Sequence, residues 1–418
     1  MDHFHYQNGQ LYAEQVDVAD IATDVGTPCY IYSRATLERH WRAFDDAFGS
    51  HPHQICYAVK ANSNLAVLNL FARLGSGFDI VSGGELKRVI AAGGDPAKTI
   101  FSGVGKESWE IELAIENGIE SFNIESDGEL ERIIDIATRL NTVASISVRI
   151  NPDVDARTHP YISTGLRENK FGLHPDQAVS VYRKAHDHPS INVRGVACHI
   201  GSQLTELDPY RDALDRVLGF IGRLEDEDIP VEWIDFGGGL GVRYSDETPP
   251  SPAEYCAVIR ERLEANKCSL PVAIEPGRAI VGNAGILLTR VNYLKSGDAT
   301  DFCVVDAAMN DLIRPALYQA YQEIIPVNQN FEGAMTEFDV VGPVCESADF
   351  LGKKRSLKTG EGELLAVRTS GAYAAVMSSN YNSRPRTPEV LVDGDRYQIV
   401  RSRESLDDIF ANERVLAW

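Results

Sequence analysis

Four places along this chain put a residue able to do chemistry directly after a short run of strand-forming residues. Lys60 closes Tyr57-Ala58-Val59-Lys60, and His199 opens His199-Ile200-Gly201-Ser202. A glycine run, Gly237-Gly238-Gly239-Leu240-Gly241, follows Trp233–Phe236, and Glu275 opens Glu275-Pro276-Gly277-Arg278. Asp79 lies within a further run of this kind, and Arg149 and Asn151 stand at the end of another. Singly, each has an ordinary reading: a solvated lysine, a hydrogen-bonded core histidine, a tight turn. As a set they are chemically coherent. A lysine amine condenses with carbonyls. Glycine backbone N–H groups approach an anion closely, as a phosphate requires. A carboxylate can hold a heterocyclic nitrogen protonated, so that the ring accepts electrons. A covalent lysine, a phosphate cradle and an acidic ring partner are what pyridoxal phosphate needs. His199 would lie flat against such a ring.

Those residues need a frame. Eight runs rich in Val, Ile, Phe and Tyr recur: Ile55–Val59, Phe78–Val81, Thr99–Ser102, Phe122–Ile124, Ser145–Ile150, Gly195–Ile200, Glu232–Phe236 and Val272–Ile274. Most precede a segment of helical period. Ser82-Gly83-Gly84-Glu85 and Ser126-Asp127-Gly128-Glu129 are Ser-x-x-Glu capping boxes that open two such helices. Strands alternating with helices pair in parallel, and eight units match a (β/α)₈ barrel of about 250 residues. No Gly-x-Gly-x-x-Gly follows any strand to favour a doubly wound sheet. Barrel enzymes place their sites at the C-terminal ends of the strands, and the loops after the seventh and eighth often hold phosphate.

The ends of the chain read differently. Asn8-Gly9 signals a hairpin near the start, and Asp393-Gly394 signals one near the end. Phe302–Val305, Glu337–Val341 and Glu363–Thr369 read as strands with few helices between them. The expected class is α/β: a barrel over residues 29–285, a β-rich C-terminal domain over residues 286–418, and an N-terminal hairpin segment, residues 1–28, joined to that domain. Residues 151–174 are long for a strand-to-helix connection and are expected to form a lid over the substrate.

Composition narrows the classes. Of 418 residues, 44% are hydrophobic and 24% charged, which is ordinary for a globular chain. Forty basic residues against 61 acidic ones give a net charge of −21, which argues against nucleic acid as a partner. No run reaches the roughly 18–20 apolar residues of a membrane span, and the first residues carry no secretory signal. Seven cysteines stand singly with no Cys-x-x-Cys, which fits buried thiols in a reducing compartment, and the expected location is cytoplasmic. No metal-binding motif, nucleophile elbow or P-loop is present, and no metal is expected. The pairs His51/His53 and His186/His188 read as surface loop.

Tyr57-Ala58-Val59-Lys60-Ala61-Asn62, His199-Ile200-Gly201-Ser202-Gln203, Gly237–Gly241 and Glu275-Pro276-Gly277-Arg278 resemble the pyridoxal-phosphate decarboxylases of the alanine-racemase fold group. Within that group the chain is similar to the diaminopimelate decarboxylases. The likeness also takes in Gly75–Leu86, Tyr161–Gly165, Lys170-Phe171-Gly172, Val344–Ser347 and Gly371-Ala372-Tyr373. It implies that Lys60 holds the cofactor covalently, His199 stacks on it and Glu275 pairs with its nitrogen. Ser202, Gly238, Gly239, Gly277 and Arg278 would hold the phosphate, with Tyr373 closing the site and Asp79 and Arg149 supporting ring and lysine. Arg278, Arg314, Tyr318, Glu346 and Tyr373 would bind substrate, and Cys345 would donate a proton from the partner subunit of a homodimer with shared active sites. The substrate implied is meso-diaminopimelate, which loses CO₂ to give L-lysine. Its second amino acid end keeps a carboxylate and an ammonium, which suit Arg278, Arg314 and Glu346. A carboxynorspermidine or other basic amino acid decarboxylase is the alternative. A non-catalytic homologue and a cofactor-free Schiff-base aldolase are weaker ones.

Overall fold

The computed structural model describes residues 2–154 and 170–418. The chain divides into two compact units: His40–Val242 with Thr248–Ala279, and Met1–Arg39 with Arg243–Glu247 and Ile280–Trp418.

The second of these units begins with β1 (Phe4–Gln7) and β2 (Gln10–Ala13), paired antiparallel across Asn8-Gly9. Both turn residues have positive φ, 52° and 81°, the geometry Asn-Gly accepts most readily. β3 (Val16–Asp17) completes a three-stranded sheet. Next comes β4 (Cys29–Ser33), with all five residues buried.

The eight expected strands are all present in the other unit. They are β5 (His53–Ala58), β6 (Gly77–Ile80), β7 (Thr99–Phe101), β8 (Ser121–Ile124), β9 (Ala144–Arg149), β10 (Ile191–Ala197), β11 (Trp233–Asp235) and β12 (Val272–Ile274). They pair in parallel and close into a barrel where Val272 of β12 meets His53 of β5. Both capping boxes form. Ser82 Oγ accepts the Glu85 N–H at 3.2 Å, and Ser126 Oγ accepts the Glu129 N–H at 3.1 Å. The helices they open, Gly83–Ala91 and Asp127–Arg139, bury Leu86 and Val89, and Leu130, Ile133 and Ile136. His53, read as surface loop, instead starts β5 and stacks on Phe48 with ring centroids 4.7 Å apart.

Side chains alternate across a strand. Cys56, Ile100, Trp233 and Ala273 cluster as one apolar layer of the barrel interior, and Gly195 leaves room there for the Trp233 ring. Two residues further along the same or neighbouring strands come Ser102, Asn123, Asp235 and Glu275, mutually hydrogen-bonded. The strand period thus sets a polar layer on top of an apolar one, at the C-terminal end of the barrel.

After the barrel the chain forms β13 (Gly285–Lys295), β14 (Asp301–Val305), β15 (Ile324–Pro326), β16 (Thr336–Val341), β17 (Phe350–Leu357), β18 (Leu364–Val367), β19 (Glu389–Asp393) and β20 (Arg396–Arg401). These make a second sheet in the order β17-β16-β14-β13-β4-β19-β20, with β18 and β15 branching from β13. The fold is therefore α/β, a (β/α)₈ barrel with a separate β-rich domain. β4 lies in that second sheet, between β13 and β19, whereas the sequence reading set residues 29–33 within the barrel segment. A central strand covered on both faces has the same unbroken apolar pattern as a barrel strand. Arg243–Glu247 also lies in the β-rich unit. Among the described residues no helix is long and apolar enough to cross a membrane.

Candidate active site

The barrel unit gathers Lys60, Asp79, Arg149, His199, Ser202, Gly238, Gly239, Glu275, Gly277 and Arg278 around the C-terminal ends of its strands. Lys60 sits in a single 3₁₀ turn just past β5, and its Nζ lies 2.6 Å from Asp79 Oδ2 on β6. The lysine side chain is 36% exposed while that of Asp79 is fully buried. Asp79 Oδ1 is buried with no hydrogen-bond partner among the described residues.

Glu275 follows β12 and is buried. Ser102 Oγ donates to its Oε1 at 3.3 Å, and Asn123 Nδ2 lies 3.5 Å from the same oxygen. Glu275 is also hydrogen-bonded to Asp235. Burial, then the nearby Asp235 and Asp79 charges, hold its carboxyl well above the usual range. Burial pushes Asp235 up to about 6, opposed by the N–H groups of Gly237 and Asn123. Two buried carboxyls in contact cannot both ionise readily. Both carboxyls are therefore held high, Glu275 more strongly than Asp235.

His199 follows β10, and its Nδ1 accepts the Gly238 N–H at 3.1 Å. Burial, with the Arg149 and Lys60 cations, holds the imidazole well below its ordinary pKa. The ring is thus neutral, with its proton on Nε2. Arg149, at the end of β9, reaches Glu125 Oε1 at 3.1 Å and the His199 carbonyl at 3.4 Å. Glu125 in turn accepts the Gly172 N–H at 2.8 Å.

The glycine turn is close-packed. A Cβ at Gly238 would overlap the Glu275 carbonyl oxygen. Gly239, with φ of 109°, would drive one into the Gly201 carbonyl oxygen. Arg278 Nε and Nη2 lie 3.3 and 3.2 Å from Ser202 Oγ. Gly277 packs so tightly that a Cβ would meet Ala61 and Ala58.

The remaining candidates belong to the β-rich unit. Arg314 is buried at the start of the helix Arg314–Tyr318, its Nη1 2.7 Å from Tyr244 Oη and its guanidinium 4.8 Å from that ring. Tyr318 and Tyr373 are half-buried, and Tyr373 has a φ of 53°. Cys345 and Glu346 are exposed. The Cys345 N–H donates to Asn382 Oδ1 at 2.9 Å, and Tyr381 Oη donates to Glu346 Oε1. Tyr161–Gly165 and most of the expected lid lie outside the described residues.

The sequence reading passed over Ser102, Asn123, Glu125 and Asp235. Asn123 interrupts the run Ser121–Ile124, and Asp235 stands two residues before the glycine turn. A polar residue inside a buried strand was the available signal. Among the described residues no group of His, Cys, Asp and Glu side chains is arranged to hold a metal ion.

A pyridoxal group fits these residues. Backbone replaces side chain where a phosphate would need close approach, and a buried carboxyl, Glu275, stands ready for a ring nitrogen. The accessible lysine amine and Asp79 Oδ1, without a partner among the described residues, lie together at the first two strand ends.

Residues 34–282 match the family model described as pyridoxal-dependent decarboxylase, pyridoxal binding domain. The diaminopimelate decarboxylase of Vibrio cholerae is 59% identical over 417 residues, all of both chains. The crystal structure of the Helicobacter pylori diaminopimelate decarboxylase, complexed with L-lysine, is 40% identical with a TM-score of 0.91, covering 94% of this chain and 98% of that one. The M. jannaschii diaminopimelate decarboxylase, also in co-complex with L-lysine, is 36% identical with a TM-score of 0.95 over 99% and 98% of the two chains. With polar strand ends arranged as a pyridoxal site needs and with relatives this close over the full length, the chain belongs to the diaminopimelate decarboxylases, within the pyridoxal-dependent decarboxylase family.

Proposed function

We infer that the chain removes one carboxyl group from meso-2,6-diaminopimelate to give L-lysine and CO₂, the closing step of lysine biosynthesis, with pyridoxal 5′-phosphate as its cofactor. The observation that carries this is the full-length likeness to diaminopimelate decarboxylases, in a chain whose Lys60, Asp79, His199 and Glu275 stand at the ends of strands of one barrel. When bound, the cofactor supplies an electron sink for the pair left by the departing carboxylate.

Lys60 would hold the cofactor covalently, with Asp79 Oδ2 2.6 Å from its amine. Glu275 would pair with the ring nitrogen; burial and the nearby Asp235 and Asp79 charges hold its carboxyl well above the usual range. His199, fixed by the Gly238 N–H, would stack on the cofactor ring, where its lowered pKa keeps positive charge off the face. Ser202, Gly238, Gly239, Gly277 and Arg278 would hold the phosphate, and Arg149 would support the His199 side of the ring. Arg278, Arg314 and Tyr318 bind the distal carboxylate, Glu346 the distal ammonium, and Tyr373 closes on both cofactor and substrate. Cys345 would act from the partner subunit as the donor of the proton that replaces the lost carboxyl, so the working unit would be a homodimer. Seven cysteines without a disulfide among the described residues support a cytoplasmic setting.

The test is to incubate the purified protein with pyridoxal phosphate and an equimolar mixture of meso-diaminopimelate, ornithine, arginine and carboxynorspermidine. Mass spectrometry then reads which compound loses 44 Da (the mass of CO₂), a loss fixed by the stoichiometry of decarboxylation. Lysine alone is expected. Loss from another member with diaminopimelate untouched would overturn the assignment.

A further inference from the structure

Asp235 ends β11 two residues before the glycine turn and is 1% exposed. Three donors converge on it. The Gly237 N–H reaches Oδ1 at 2.9 Å, Asn123 Nδ2 reaches Oδ2 at 2.8 Å, and the Glu275 carboxyl completes the set. Only a carboxylate offers acceptors to all three; an amide in its place would turn an NH₂ toward a donor. Asn123 is committed to this arrangement. Its Nδ2 serves Asp235 and lies 3.2 Å from Ser102 Oγ, while its Oδ1 is buried without a hydrogen-bond partner among the described residues. A buried carbonyl left unpaired is tolerated only where the rest of the network compensates.

The two ends of this network have different tasks. In the proposed function Glu275 would meet the cofactor's ring nitrogen, and Gly237 opens the turn that would take the phosphate. We propose that Asp235 is a positioning residue for cofactor binding, which joins the Glu275 carboxyl and the first N–H of the glycine turn into one hydrogen-bonded unit, so that ring and phosphate are set by a single rigid element. The proposal rests on the reading of Glu275 as the ring-nitrogen partner. Asp235 touches no reacting atom; it acts through Glu275 and Gly237.

The experiment measures the dissociation constant of pyridoxal phosphate from the cofactor-stripped full-length protein by fluorescence quenching, for the wild type, D235N, E275Q and the double variant. Removing a buried charge-assisted hydrogen bond weakens binding about 10- to 100-fold, and that loss is expected for D235N. In the E275Q background the same substitution is expected to matter less than about 3-fold, because its main route to the cofactor is already cut. A D235N protein that binds the cofactor as the wild type does overturns the proposal. So does a loss of equal size in both backgrounds, which is what a merely structural role gives. If D235N does not fold, N123S replaces it, since that change removes the Asp235 Oδ2 partner and leaves Asp235 in place; the same two outcomes decide. A failure of the underlying reading is separate: the wild type then binds no pyridoxal phosphate, or E275Q binds it undiminished.

Discussion

Lys106 is a cation almost without water. Its side chain is 1% exposed, and its partner Glu129 is 7% exposed at 2.6 Å. The same Nζ donates to the carbonyls of Gly103 at 2.7 Å and Asn123 at 2.8 Å. Glu129 Oε2 accepts the Glu125 N–H at 2.9 Å, and Glu125 pairs with Arg149. One ammonium thus braces the backbone of Asn123 and, through Glu129, the position of Arg149. Lys106→Met keeps most of the volume and deletes the charge, leaving the buried Asn123 carbonyl, the half-buried Gly103 carbonyl and one carboxylate without this donor. Stranding one member of a buried pair costs about 3–5 kcal/mol. Because Glu129 keeps the Glu125 N–H, the lower end applies, about 3 kcal/mol. For a unit of about 150–250 residues each kcal/mol moves the melting temperature by about 2–4 °C, so the drop is about 6–12 °C. Lys106→Met/Glu129→Leu strands no charge and should recover most of that loss. Circular dichroism melts of the three proteins, cofactor-stripped and in one buffer, read the result. A Lys106→Met melt within about 2 °C of the wild type would refute the reasoning, as would a double variant less stable than the single one.

Four further outcomes follow from the site. Glu275 keeps a proton in the folded state that the unfolded chain releases above about pH 4.3, so its stabilisation is full below that pH and drains as pH rises. Without cofactor, the melting temperature of Glu275→Gln should gain on that of the wild type from pH 5 to pH 8, His199 acting equally in both; a constant difference would contradict the assignment. Arg314→Ala should raise KM for meso-diaminopimelate about 30-fold or more with the pyridoxal phosphate dissociation constant unchanged, and equal loss of both would place Arg314 elsewhere. Lys60→Ala and Cys345→Ala, each inactive alone, should regain about a quarter of native activity when refolded together, since half the dimers are mixed and one site in each is intact; no recovery argues against a shared site. Gly239→Ala should weaken pyridoxal phosphate binding about 10-fold or more, because φ of 109° and the Gly201 carbonyl both oppose a Cβ; wild-type affinity would show that the turn yields.

What the sequence made legible was local. Strand runs, the two Ser-x-x-Glu caps and the Asn8-Gly9 turn depend on neighbours within a few residues, and each formed. The strand-end residues were legible as well, because a two-residue period followed by a glycine or proline turn marks where a parallel strand stops. Pairings across long separations were not. Asn123 and Asp235 meet across 112 positions, and no local pattern says so. β4 failed for the same reason: Cys29-Tyr30-Ile31-Tyr32-Ser33 is as apolar as any barrel strand, and only its partners β13 and β19 tell the two apart. At Gly238 the glycine signalled close approach, but not that its N–H would be engaged by His199.

The position of β4 bears on how the chain is made. Tyr32 of β4 pairs with Gly285 of β13, so the whole barrel is threaded between two neighbouring strands of one sheet. During synthesis at roughly 5–20 residues per second, the ribosome needs roughly 12 to 50 s to deliver β13 after β4 has emerged. Through that interval an unbroken apolar strand waits with neither neighbour, an invitation to wrong partners. The barrel, whose strand contacts are all contained within the intervening chain, can close in the meantime. Nascent chains stalled once residue 284 has left the ribosome, with β13 still inside it, should therefore hold a protease-resistant barrel behind an N-terminus that chaperones still bind.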